Sequence, residues 1–218
     1  MKKGLLVASV VLLVNVCFAD SHVSTFFDRF TTFSADFSQT VKQDDKVVQQ
    51  STGRVKLKKP LKFRWDYQSP EKMQLISDGQ RFYHYDIELA QATVKPAAEV
   101  ADSVLMTLLS GRETLDSLFH IQSFGTPAVK KRFPKQADSW LAGADIFYQL
   151  VPKKTMNADT TPSLVVVGLS ANQQLRLFYA KDNFGENTFV FSDVKQNRTI
   201  ADSTFKFKPP RGVDVLGQ

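Results

Sequence analysis

Hydrophobic and polar residues alternate through most of the chain, and the pattern is clearest in the stretch 53–67. Before the Lys59-Pro60 pair, apolar residues alternate with lysine and arginine. After it, Phe63, Trp65 and Tyr67 alternate with charged residues. A period of two is typical of a β-strand with one apolar and one polar face. The stretch therefore predicts two strands that meet at a corner next to the proline.

The same period predicts strands in both halves of the chain. Asp78-Gly79, between two alternating segments, is a strong signal for a tight hairpin turn. The predicted strands are 33–41, 47–58, 63–67, 73–76, 82–85, 92–94, 121–124, 145–151, 164–169, 174–180, 188–194 and 205–208. We expect about eleven strands to pair into one sheet.

Short helical segments interrupt this pattern near the N-terminus and in the middle of the chain. Val23, Phe26, Phe27 and Phe30 lie at helical spacing and predict an amphipathic helix. The predicted helices are 21–31, 97–101, 104–109 and 114–119. The charged, proline-containing segment 126–144 shows no periodicity that assigns it to an element. Because no linker or repeat divides the chain, the pattern indicates a single α+β domain that is mainly β.

The first nineteen residues have the pattern of a cleavable signal peptide. Lys2 and Lys3 precede an apolar run that is too short to span a membrane, and small residues flank Phe18 before the predicted cleavage site. We therefore expect residues 1–19 to be removed and residues 20–218 to form the exported domain. Cys17 is not expected to carry lipid, since a lipoprotein signal has a small residue immediately before its cysteine.

Charge and cysteine usage narrow the class of function. Lysine and arginine total 28 against 22 acidic residues, so the net charge of +6 falls to +4 once Lys2 and Lys3 are removed. The basic residues are spread along predicted strand faces without a dense cluster in the sequence, which argues against nucleic-acid binding. The only cysteine leaves with the signal peptide. Core size must therefore stabilise the exported chain without disulfides.

The residues give no pattern of catalytic or metal-binding chemistry. The exported part lacks a cysteine nucleophile and a Gly-x-Ser-x-Gly motif. His22, His84 and His120 do not have the spacing of zinc ligands, and no glycine-rich phosphate loop is present. We expect neither an enzyme nor a bound metal or cofactor.

An excess of aromatic residues is the strongest remaining signal. The chain has eighteen phenylalanines, most of them on predicted strands or the first helix. Such rings bury large areas without needing a polar partner. A curled sheet carrying them can either pack solid, as in a sandwich core, or enclose a cavity for an apolar ligand. The residue pattern alone leaves both interpretations open.

A set of motifs running in order from the first helix to the C-terminus resembles the LolA family of periplasmic outer-membrane lipoprotein carriers. The matching motifs are Phe33-Ser-Ala-Asp-Phe-Ser-Gln, Gly53, Lys59-Pro-Leu-Lys-Phe-Arg-Trp-Asp-Tyr, Pro70, Ser77-Asp-Gly, Tyr85-Asp, Gln91-Ala-Thr-Val and Phe205-Lys-Phe-Lys-Pro-Pro-Arg-Gly-Val. As a set they are specific, although each alone carries little information.

The resemblance implies an incomplete antiparallel β-barrel with short helices forming a lid over a hydrophobic cavity. It implies that the cavity takes the acyl chains of lipoproteins that an inner-membrane ABC transporter releases, and that an outer-membrane receptor of similar fold accepts them. The protein would then be a periplasmic chaperone, and we expect it to act as a monomer.

The resemblance also directs attention to particular residues. The family usually has arginine before the corner proline, where it holds the lid by bonding backbone carbonyls. Lys59 occupies that position here and is the candidate lid latch, with a single ammonium in place of the rigid arginine fork. The candidates for cavity and lid lining are Phe30, Phe37, Phe63, Trp65, Met73, Leu105, Met106 and Leu109.

Two other classes share some of these features. A general exported protein that binds hydrophobic ligands would have the same aromatic excess. An envelope receptor of the same fold would normally carry lipid itself, and Val16 before Cys17 argues against that interpretation.

Overall fold

The computed structural model describes residues 20–100, 114–153 and 162–217, and most of them lie in strands. The twelve strands are β1 Thr32–Gln43, β2 Lys46–Lys58, β3 Lys62–Ser69, β4 Met73–Asp78, β5 Arg81–Asp86, β6 Gln91–Pro96, β7 Phe119–Gly125, β8 Ile146–Pro152, β9 Leu164–Leu169, β10 Leu175–Lys181, β11 Glu186–Gln196 and β12 Asp214–Leu216. The α-helices are α1 Asp20–Arg29, α2 Leu115–Leu118, α3 Thr126–Arg132 and α4 Ala137–Leu141, and 3₁₀ turns occupy Ala97–Val100 and Asp202–Phe205.

All twelve strands belong to one sheet, in the order β12-β6-β5-β4-β3-β2-β1-β11-β10-β9-β8-β7. Neighbours are antiparallel except for β12, which runs parallel to β6. Within the described residues β12 and β7 each have a neighbour on one side only, so the sheet is open. The prediction of a mainly-β fold with an incomplete barrel and a few short helices is confirmed.

The two faces of the sheet carry separate hydrophobic cores. We call the face covered by α1 and α2 the inner face. Its core contains rings from α1, from strands β1 and β3, and from β10 and β11. The opposite, outer face packs against α3 and α4 over strands β8–β10, where Trp140 is buried among Phe133, Phe147 and Tyr179. Helices on both faces are possible because alternate residues of a strand point in opposite directions.

The first helix follows its sequence pattern closely. It spans Asp20–Arg29, against a prediction of 21–31, and buries Val23 and Phe27 against the inner face, as does Phe30 directly after its end. The prediction of short helical structure at 97–101 and 114–119 is also confirmed, as a 3₁₀ turn and as α2. The predicted helix at 104–109 lies outside the described residues. Among the helices described, none is long and apolar enough to cross a membrane.

The prediction of a closing strand at 205–208 is wrong. Phe205 ends a 3₁₀ turn and is fully buried, and the ring of Phe207 lies 5.0 Å from that of Tyr83 and 5.4 Å from that of Tyr85 on the outer face. The two phenylalanines therefore alternate with lysines because they pack onto the sheet from outside. The last strand is β12, further along the chain.

Ring contacts show that the sheet curls toward its inner face. Trp65 on β3 and Phe189 on β11 have ring centroids 5.4 Å apart, although β2 and β1 lie between their strands. Three strand spacings on a flat sheet would separate them by about 14 Å. The inner face is therefore concave at this point.

Gly53 on β2 provides the space for this curl. It pairs with Phe37 on β1 and Tyr67 on β3. A Cβ atom at Gly53 would lie 2.2 Å from the carbonyl oxygen of Asp66 and 2.8 Å from two carbons of the Phe37 ring. The Phe37 ring thus occupies the space that a side chain on β2 would fill, and this brings it into contact with Trp65 at 5.3 Å.

We expect Gly53→Ala to destabilise the protein by about 3 kcal/mol, at the upper end of overpacking costs, because a backbone oxygen must move. Chemical denaturation measures this as a lower midpoint. Gly125→Ala is the matched control, since the nearest atom to its added Cβ would be 3.7 Å away. Equal stabilities for the two variants would contradict the role assigned to Gly53.

Candidate functional site

A cluster of aromatic rings occupies the centre of the inner face. Phe37 has its ring centroid 5.3 Å from that of Trp65, 5.1 Å from Tyr67 and 5.9 Å from Phe189. Most of these contacts are tilted or edge-to-face, the arrangements that aromatic pairs prefer. Strands β1, β3 and β11 contribute the four rings because alternate residues of each strand point to this face. We refer to these four residues as the aromatic cluster.

The structure brings five of the predicted lining residues to the inner face. Phe30 directly follows α1, Phe37 lies on β1, Phe63 and Trp65 on β3, and Met73 on β4. Only 2% of Phe30, 3% of Phe37 and 4% of Trp65 is exposed, while Met73 is half-buried. The other three candidates, Leu105, Met106 and Leu109, lie outside the described residues. The assignment of all eight as a lipid-contacting lining stays a prediction.

Two polar atoms lie within this apolar surface. The Tyr67 hydroxyl donates a hydrogen bond to Oε1 of Gln39 at 3.0 Å, and burial raises the pKa of Tyr67 to about 12, so the hydroxyl stays neutral. The indole N–H of Trp65 is buried and has no hydrogen-bond acceptor among the described residues. The inner face is therefore uncharged around the aromatic cluster.

Several inner-face residues were missed as site candidates. Phe189 and Phe191 stack at 6.2 Å on β11, and Phe82 on β5 contacts Phe63 at 5.9 Å. All three lie in predicted strands, so their aromatic side chains were available as candidates. What the pattern lacked was the strand order, because only the pairing of β1 with β11 brings the two halves of the chain together.

Lys59 joins the β2–β3 corner to the end of α1. Its Nζ donates a hydrogen bond to the carbonyl oxygen of Phe27 at 2.5 Å and lies 5.4 Å from the centroid of the Phe30 ring. The carbonyls of a last helical turn lack intrahelical donors, and a lysine there satisfies one of them. Burial lowers the pKa of the Lys59 ammonium, an effect that the Asp28 carboxylate opposes.

The contact explains why the corner residue is basic. The carbonyl at the negative end of the helix and the face of an aromatic ring both attract a cation. The predicted contact partner of Lys59 is thus present in α1. Its role as a latch that opens and closes stays a prediction.

Basic residues that are scattered in the sequence converge on the outer face. Arg54, Lys56, Arg64 and Lys72 line one groove over strands β2–β4. Lys206 and Lys208 line the grooves beside it. The basic residues, which form no dense cluster in the sequence, therefore lie close together on this face, because adjacent strands and the C-terminal segment bring them together. In the described ranges, no group of acidic, histidine or cysteine residues could hold a metal ion.

The fold and the site define a class of protein: an open, curled sheet whose apolar inner face is covered by a short helix. A crystal structure of an uncharacterized conserved protein from Thermus thermophilus has this fold, with a TM-score of 0.51 over 89% of this chain and 98% of that one. At 12% sequence identity, the likeness concerns the fold alone.

Sequence comparison defines the family. The model of the family described as outer membrane lipoprotein carrier protein LolA matches residues 28–134. An outer-membrane lipoprotein carrier protein from Nitrosospira multiformis is 33% identical over 198 residues, which cover 90% of this chain and 87% of the relative. One from Nitrosomonas europaea is 30% identical over 216 residues, covering 94% and 96%. The chain belongs to the LolA family.

We expect Lys59→Leu to loosen the C-terminal end of α1. A hydrogen bond from a charged donor contributes about 1.5–3 kcal/mol. Where opening of α1 limits hydrogen exchange, its loss makes the amides of α1 exchange roughly ten- to a hundredfold faster. Lys59→Arg keeps a cation at the corner and should preserve protection. Amides of α3, on the other face, serve as the internal control. Unchanged exchange in α1 of the leucine variant would show that Lys59 does not hold the helix.

Proposed function

We propose that this protein is a periplasmic carrier that binds the acyl chains of lipoproteins on its inner face. In this role it accepts lipoproteins from an inner-membrane ABC transporter and delivers them to an outer-membrane receptor of similar fold. The observation that carries the proposal is the uncharged aromatic cluster on the concave face of an open sheet, in a chain that belongs to the LolA family.

The chemistry of the inner face suits acyl chains. Each methylene group kept from water contributes about 0.8 kcal/mol, so a lipid-modified cysteine with several chains requires a large apolar surface in the aqueous periplasm. Aromatic rings and Met73 provide that surface without demanding a fixed ligand shape. The rings of the aromatic cluster carry no charge that an acyl chain would have to desolvate.

Binding requires α1 to move. Phe30, directly after α1, contacts Phe33 on β1 with ring centroids 5.7 Å apart, and Phe26 and Phe27 of α1 pack beside it. These rings cover the inner face, so an acyl chain must displace them to reach the sheet. Lys59, which donates to the last turn of the same helix, is the residue best placed to favour the closed state.

Closure of α1 also provides a means of release. Rings of the helix and acyl chains compete for the same apolar surface, and each hydrogen bond that re-forms on closing favours unloading. A shift of about 1.4 kcal/mol between the open and closed states changes their ratio tenfold. A carrier that both accepts and releases its load needs a free-energy difference of this small size between its open and closed states.

Met73→Glu should weaken the binding of a fluorescent fatty-acyl probe by about tenfold or more, because the carboxylate must lose water beside the acyl chain. Met73 is half-buried and faces inward, so the variant is expected to fold. Gln74→Glu adds the same charge one residue along, on the outer face, and should bind the probe normally. Equal binding by both variants would contradict an acyl site on the inner face.

The same pair of variants tests the nature of the cargo. The parent protein and Gln74→Glu, isolated from periplasm, should carry acylated lipoproteins, and Met73→Glu should not. If the acyl probe binds but acylated lipoproteins are absent from all three preparations, the protein is a general binder of hydrophobic ligands and the carrier role is wrong.

Export predicts a defined N-terminus. We expect the protein isolated from periplasm to begin at Asp20, with residues 1–19 removed by signal peptidase. Intact-mass spectrometry measures this directly. A chain that begins at a lipid-modified Cys17 would instead identify the protein as membrane-anchored and would contradict a freely diffusing carrier.

A further inference from the structure

Three adjoining grooves cross the outer face beside the C-terminal segment 202–210. Their volumes are about 380, 570 and 590 Å³. Arg64 and Gln74 line both the first and the second groove, while Lys206, Phe207 and Lys208 line both the second and the third. The grooves therefore form one continuous surface, which we call the basic outer face.

Positive charge dominates this surface. Seven cations and two carboxylates line the three grooves, an excess of five: Arg54, Lys56, Lys62, Arg64, Lys72, Lys206 and Lys208 against Asp66 and Asp78. The middle groove has no carboxylate in its lining. The whole chain has a net charge of +6, two units of which come from Lys2 and Lys3. Asp36 and Asp202, which pair with Arg54 and Lys62 from outside the linings, reduce the excess of this face to three, against a net charge of +4 for the chain without Lys2 and Lys3.

The carboxylates of this region are already engaged by particular cations. Asp66 pairs with Arg64 at 2.9 Å, and Asp202 accepts from Lys58 at 2.6 Å and from Lys62 at 2.8 Å. Lys58 and Lys62 hold the pKa of Asp202 at about 2. By contrast, the described residues provide no ion pair for four of the lysines that line the grooves. These are Lys56, Lys72, Lys206 and Lys208.

Two of these lysines stand on a segment held firmly against the sheet. Phe205 is fully buried, and Phe207 packs on Tyr83 and Tyr85. Lys206 and Lys208 alternate with these rings and are exposed. Their backbone is fixed before any ligand arrives, so binding an anion costs less conformational entropy than ordering a free tail would.

We propose that the basic outer face docks on the surface of a bilayer that contains anionic phospholipids. Clusters of four to eight basic residues are typical of such surfaces, and lysine binds phosphate as a point charge without a fixed geometry. This inference goes beyond the carrier role and does not depend on it.

A lipid surface fits these grooves better than a protein surface does. Stable protein interfaces have apolar or aromatic anchors at their centre. The aromatic side chains that line the three grooves, Phe207 among them, are buried or half-buried, and none of the large hydrophobic side chains that are exposed in the described residues is among the lining. Docking through the outer face also leaves the aromatic cluster on the opposite face uncovered, so the contact is electrostatic, reversible and compatible with either state of α1.

Vesicle sedimentation tests this proposal. The full exported chain should pellet with vesicles of mixed phosphatidylglycerol and phosphatidylcholine, but not with vesicles of phosphatidylcholine alone. One lysine near an anionic surface contributes roughly fivefold in affinity. The double variant Lys206→Gln/Lys208→Gln should therefore bind roughly thirtyfold more weakly. Binding by the parent protein should also fall steeply with salt, because screening shortens the reach of surface charges.

The control removes the same charge elsewhere. Lys130→Gln/Lys131→Gln changes two exposed lysines of α3, over the far end of the sheet, and should bind nearly as the parent does. Lys56→Gln/Lys72→Gln, on the first groove, should repeat the loss seen with the C-terminal pair. An equal loss of vesicle binding in the α3 variant would show that only the net charge of the protein matters, and this would overturn the proposal. So would a parent protein that stays in the supernatant with anionic vesicles at low salt, in which case an acidic protein surface becomes the occupant to test.

Discussion

The contact between Trp65 and Phe189 is the constraint on which the inner face depends. It joins strands that are three positions apart in the sheet, and it requires that β2 carry no side chain at Gly53. Because Phe37 fills the space above this glycine, the rings of β1, β3 and β11 form one surface instead of three separate rows. The curl of the sheet, its apolar concavity and the position of α1 all follow from this local arrangement.

The helix that covers this surface packs on it through aromatic rings, as an acyl chain would. The cation at the β2–β3 corner adds a polar link between the helix and the strands. A cover of this kind is stable in water and yet replaceable by a ligand of similar polarity. The outer face is built differently, with α3 and α4 packed over a second core, and it has the character of a permanent scaffold.

The period-two pattern predicted most of this architecture because each strand exposes one face to a core. It predicted β1 to β6 and β8 to β11 closely, and α1 from the spacing of its phenylalanines. The pattern failed at Phe205 and Phe207, since alternation reports burial and not strand pairing. Segment 126–144 was not assigned because α3 and α4 are too short for helical periodicity to emerge. The pattern placed charged residues on one face of the two strands at the Lys59-Pro60 corner, but it could not place Lys206 and Lys208 beside them, because the C-terminal segment packs on the sheet without pairing in it.

The pairing of β1 with β11 has a consequence for how the chain acquires its structure. Phe37 lies opposite Phe191, so the centre of the sheet joins segments that are more than a hundred residues apart in sequence. Closing so long a loop costs conformational entropy before contacts between β1 and β11 can stabilise it, and such topologies fold slowly. Strand β1 can pair with its second neighbour, β11, only when nearly the whole polypeptide is present. The native inner face can therefore form only when β11 is available, after most of the chain has been made.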